Sequence, residues 1–190
     1  MPPQLNYDSS MKWTDEVLRF WFSELTPDDW FAVSDPVDEA IRVRCGELYR
    51  EMKQTPPAPS ALDERGHLAA VIVFDQFSRN LFRHTPNAFA TDALALSYSL
   101  HAAQHGMDEG LNQHERQFLY MPFMHCEDVA MQGLSLKLFT ALDLPDALRS
   151  ARTHKDIIDR FGRFPHRNRA LGRVSTAAEE AFLNTQPHWP

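Results

Sequence analysis

The stretch SALDERGHLAAVIVFDQFSRNLF, Ser60 to Phe82, decides the fold. Its middle, AAVIVF, is a short β-branched run that reads equally well as a buried strand or as part of a buried helix. The flanks separate the two. Ser60 followed by Asp63 and Glu64 is a helix-opening pattern, and Leu62, Leu68, Val71, Ile72, Phe74, Phe77 and Leu81 carry the apolar pattern through both sides. That uninterrupted length predicts one helix over about 60–82.

Working outward, Thr14 caps a predicted helix to about Glu24, stopped by Pro27, and Ser34 with Asp35, Pro36 and Asp38 opens another to about Lys53. TPPAPS, residues 55–60, is a linker. Further helices are expected over about 86–105, ending at Gly106, and from the Asn112/Glu115 capping box to a break at Pro122. Three more follow, over about 123–142, over about 147–161, and from Ser175 or Thr176 to near Leu183. About eight helices joined by short turns predict an all-α chain, packed as a bundle or as an array of helical hairpins. No self-similarity at the tetratricopeptide period is evident.

At 190 residues the chain suits a single domain over 1–190, with 1–13 and 185–190 as a peripheral arm and tail. Hydrophobic residues at 43% and charged residues at 24% exclude a disordered polymer, and no apolar run is long enough to span a bilayer. The N-terminal residues lack a secretory pattern, so a cytoplasmic protein is expected. Two widely separated cysteines, Cys45 and Cys126, exclude a disulfide framework. A formal charge of −7 makes nucleic acid an unexpected partner.

Against that acidic total, residues 149–173 hold eight Arg or Lys and two Asp, a local charge of +6. Arg163, His166, Arg167 and Asn168 lie there on a turn framed by Gly162, Pro165 and Gly172, with His154 on the helix before it. A second polar cluster, Asp75, Gln76, Arg79, Asn80 and Arg83, interrupts the apolar helix, either as it emerges into solvent or as a packed functional group. The third, ERQFLYMPFMHCED, offers Glu115, Arg116, His125, Glu127 and Asp128. His125 and Asp128 are three apart, so Asp128 is a candidate to orient His125 as a general base, unless Glu127 and Asp128 simply open a helix. With no His-Glu-x-x-His, no Gly-rich phosphate loop and no dinucleotide fingerprint, neither a metal nor a cofactor is expected. The aromatic groups at Phe20–Phe22 and Trp30–Phe31 read as core.

Several long motifs in order, VLRFWF, Trp30–Phe31, FDQFSRNLFRHTPNAFATD, ERQFLYMPFMHCED and HKDIIDRFGRFPHRN followed by LGR and ST, make the chain similar to a bacterial and fungal family catalogued as domain of unknown function 924. The resemblance spans about Val17 to Leu183. It implies a tetratricopeptide-like helical architecture and no settled activity, and it places all three clusters inside the matching motifs. Departures from the pattern are Ser78 for Pro, His84 for Gly and Cys126 for Ser.

The expectation is a cationic pocket that binds a small anionic or carboxylate-bearing molecule. Arg79, Arg83, Arg163 and Arg167 would form the clamp, with His125, Asp128 and His166 as catalytic candidates for acid–base or hydrolytic chemistry. The alternative is a tetratricopeptide-like scaffold holding a peptide or protein, with the charged clusters as struts.

Overall fold

The structure, a computed structural model, describes residues 11–185. Most of the expected arm and tail lies outside these residues, although Met11 to Trp13 already belong to the first helix. Helix α1 runs Met11–Arg19 and continues as a π-helical turn, Phe20–Glu24, so Thr14 is a buried residue inside it and not its cap. A capping box on Thr26 and Asp29 opens the short α2, Pro27–Phe31, and Ser34 is the N-cap residue of α3, Asp35–Gln54.

Helix α4 comprises Glu64–Val71, a π-helical stretch Ile72–Phe77, and Ser78–Leu81. Its start is later than predicted because the Asp63 carboxylate, not Ser60, accepts the Gly66 N–H at 2.7 Å. AAVIVF is helical, and the reason for its strand-like look is that α4 packs against α1, α3, α5 (Asp92–Gln104) and α6 (Gln113–His125). A helix surrounded on every side needs no polar face. Leu68 through Phe74 and Phe77 have no solvent exposure. Truncating Phe77 to Ala removes a ring that Phe20 and Trp21 meet edge-on, a loss of about 3–5 kcal/mol.

The helix expected over 86–105 is divided into a 3-10 turn, Pro86–Phe89, and α5 beginning at Asp92. Pro122 breaks nothing. It is buried within α6, where the apolar packing of Phe118 to Met124 outweighs the one backbone bond that a proline forfeits. The chain turns instead at Cys126, Glu127 and Asp128, and Gln132 closes the end of α6 by donating to the carbonyls of Met124 and Cys126. Helix α7, Val129–Ala141, packs on α6, and α8, Pro145–Phe161, packs on α7 and α6. Gly162, at φ 69°, ends α8 in the left-handed conformation that glycine accepts without strain. His84 has φ 64°, and glycine would fit its backbone more easily.

A 3-10 turn, Pro165–Arg167, leads to α9, Ala177–Thr185, opened by Thr176 and Glu179, which hydrogen-bond each other's backbone N–H. One apolar core runs from α1 to α8, and Ile157, Ile158 and Phe164 form a smaller cluster with Phe161 and Phe182. Among the described residues the chain is all-helical, and no helix is long and apolar enough to cross a membrane.

Candidate functional site

A cavity of about 330 Å³ opens between α2, α4, α6 and α8. One wall is Trp30 and Phe31 with Ala32 and Val33, and another is Gln117, Met121, Met124 and His125. Helix α4 contributes Gln76, Arg79 and Asn80, the turn just after it contributes Arg83, and α8 contributes Asp146, Ala147, Ser150 and His154. Members of all three polar clusters thus border one space. Trp30 and Phe31, expected in the core, line it as well, and Phe31 is 53% exposed.

Asp75 organises the wall from beneath. Its carboxylate is fully buried and accepts from His125 Nδ1 at 2.8 Å and Gln76 Nε2 at 2.5 Å, with Arg79 Nη1 at 3.1 Å. The π-helical stretch around it leaves carbonyls that side chains fill. Phe74 O accepts from the Ser78 and Thr91 hydroxyls at 2.8 and 2.6 Å, and Asp75 O accepts from Arg79 at 2.6 Å. Widened turns of this kind recur at functional sites. Ser78 therefore serves as a back-bonding hydroxyl at the position where the family pattern suggests proline.

Burial alone would raise the Asp75 pKa, but the Arg79 charge and His125 hold it well below the ordinary carboxylate range. Burial pushes His125 down, against the pull of Asp75. Since the carboxylate can only accept, Nδ1 carries the proton, and a neutral His125 presents an unprotonated Nε2 on its opposite edge.

The orienting carboxylate for His125 is Asp75, fifty residues away, and not Asp128. Asp128 caps α7 by accepting the Met131 N–H at 2.9 Å. Glu115 similarly pairs with Asn112 in its capping box, and Arg116 donates to the carbonyls of Leu111 and Glu109.

The Arg-rich turn is mostly a fastening. Arg163 makes a fork with Glu179 at 2.6 and 2.8 Å, and Arg173 bridges Glu127, Phe164 O and Asn168. Glu127 also accepts the Phe164 N–H at 2.7 Å. Arg163, Asn168 and Glu127 are absent from the cavity wall, as are Arg167 and His166. Arg167 still reaches the site indirectly. Held 4.6 Å from each of the Phe89 and Phe164 rings, it donates to Asp92 at 3.1 Å and to the His125 carbonyl at 3.0 Å.

Burial and the charge of Arg79 push Arg167 down to about 10. Burial, with His125 beside His154 and Arg167 beside His166, pushes both rings down to about 3. The pocket's arginines are compensated: Arg79 forks onto Asp92, and Arg83 grips Asp38 through Nε and Nη2, with Asn80 donating to the same carboxylate. Asp38 and Asp92 are not among the sequence-based candidates, because one reads as part of an acidic first turn and the other falls inside the helix expected over about 86–105. Among the described residues no three His, Cys, Asp or Glu side chains form a metal-ligand set.

A family described as bacterial protein of unknown function, DUF924, matches residues 17–187. A solved structure of a protein of unknown function from Agrobacterium tumefaciens is 32% identical, with a TM-score of 0.87 over 93% of this chain and 99% of that one. No curated protein is similar to the chain. The family match and the structural likeness each cover most of the chain, and the chain belongs to the DUF924 family of bacterial proteins.

Proposed function

We propose that the protein binds a small carboxylate-bearing or otherwise anionic molecule in the cavity between α2, α4, α6 and α8, with His125 as the acid–base group. The supporting observation is the fully buried Asp75, joined to His125 and Arg79 at the wall of a cavity that Arg83 also borders. Burying a carboxylate, a guanidinium and an imidazole together is expensive in desolvation, and such groups concentrate where chemistry needs them.

The arginines are paired, so the site attracts an anion through leftover N–H groups and not through a bare charge excess. Arg83 engages Asp38 through Nε and Nη2, and its Nη1 has no hydrogen bond among the described residues. His125 Nε2 is the base that would take a proton from a ligand or a water. A volume of about 330 Å³ favours a small molecule over the peptide of a scaffold protein. Two cysteines without a disulfide fit a cytoplasmic setting.

Thermal denaturation with a panel of small mono- and dicarboxylates tests the reading. A binder should raise the melting temperature progressively, with the logarithm of its concentration once that exceeds Kd. Arg83→Gln should weaken that binder about tenfold or more while the chain stays folded, since hydrogen bonds to charged groups carry about 1.5–3 kcal/mol. Absence of any carboxylate-induced shift sinks the proposal.

A further inference from the structure

The cavity has two chemically distinct sides, and the apolar one is built for a ring. Trp30 is locked in place. Its Nε1 donates to Trp21 O at 2.8 Å, and Phe118 and Phe22 meet its ring edge-on at 5.1 and 5.7 Å. Phe31 lies parallel to Phe118 at 6.0 Å and stays 53% exposed at the rim. Leaving an aromatic face in water beside a cavity is unfavourable until something covers it. Met121 and Met124 on α6 supply polarisable thioethers, which suit the edge of an aromatic ring.

We infer that the ligand is an aryl carboxylate of about nine to thirteen non-hydrogen atoms, its ring against Trp30, Phe31 and the two methionines and its carboxylate toward Arg83. The size follows from about 330 Å³ of space at about 30 Å³ for each water-sized group. This inference rests on the ligand-binding reading above and adds the chemistry of the ligand's body. A saturated chain would fill the same volume, but it lacks the edge-to-face and sulfur–ring geometry that fixed aromatic walls offer.

The test uses the full chain and follows tryptophan fluorescence and calorimetry with phenylacetate, cyclohexylacetate, hexanoate and phenylacetamide. Phenylacetate should bind tightest, cyclohexylacetate and hexanoate about fivefold or more weaker, and the uncharged phenylacetamide about tenfold or more weaker. Phe31→Ala, at an exposed position, should bring phenylacetate and cyclohexylacetate toward equal affinity. Should that variant misfold, Met121→Leu keeps the volume and removes the sulfur, and it should narrow the same ratio. Equal binding of phenylacetate and the saturated acids overturns the aryl assignment and leaves the anion reading standing. Equal binding of the amide and the acid overturns the anion reading, and no binding by any of the four overturns both.

Discussion

Around the turn at 162–173, Arg163 fastens to Glu179 and Arg173 to Glu127, whereas at the cavity Arg79 and Arg83 fasten to Asp92 and Asp38 and still border open volume. The two regions hold the same side-chain types and differ in what remains after pairing. In the turn, donors are spent on carboxylates and on the carbonyls of Phe164 and Val174, tying α9 and the α6–α7 corner to the end of α8. At the cavity, pairing fixes the guanidinium and imidazole groups in place and leaves edges of them beside a hollow. Density of charge along a sequence therefore locates polar packing, and only the third dimension separates a fastening from a site.

Four variants or conditions put that contrast at risk. Asp75→Ala should have the largest effect, about 3–5 kcal/mol lost in urea denaturation, because His125 Nδ1 would lose its buried acceptor and Arg79 one of its two carboxylates, leaving it with Asp92 alone. A loss below about 1 kcal/mol would mean that Asp75 does not hold the wall. Glu127→Ala should cost about 1–3 kcal/mol by stranding Arg173 and the Phe164 N–H. It should leave carboxylate binding unchanged, and a matching loss of binding would merge the two regions into one.

Acid should lower stability through two rings, His154 at the cavity and His166 on the neighbouring turn. His154 and His166 titrate near 3 when folded and near 6.5 when unfolded, so between these values the unfolded chain binds more protons. Their stabilising contribution is complete above about pH 6.5 and falls as pH drops toward 3, by about 1–2 kcal/mol per ring at pH 5. Melting curves from pH 7.5 to 5 should show this slope, and His154→Gln should flatten it. The smallest change belongs to Arg149→Ala, which removes an exposed partner of Asp146 at the cavity rim, with under about 0.5 kcal/mol expected in the same urea experiment.

The helical class was legible because caps and lengths outvoted one ambiguous run, and the Asn112/Glu115 box and Ser34 stand where the sequence puts them. Pro122 misled because a local rule about proline cannot weigh the packing of its neighbours. The members of the site were legible in part: Gln76, Arg79, Asn80, Arg83, His125 and His154 border the cavity. Their partners were not. Spacing rules join residues three or four apart and so favoured Asp128 for His125, while the true partner, Asp75, depends on how α4 meets α6. Asp38 and Asp92 escaped notice for the same reason, since each earns its role from an arginine on another element.

The six residues Ile72–Phe77 also act as an indexing device. Each residue advances a helix by about 100°, so a widened turn resets which side the rest of α4 shows. Ahead of it, Leu68 to Val71 face inward among neighbouring helices; after it, Arg79, Asn80 and Arg83 line the cavity. Deleting one residue there would swing that trio more than a quarter-turn away from the opening and drive apolar side chains into their places. The length of the segment, more than its composition, sets the angle between core and cavity.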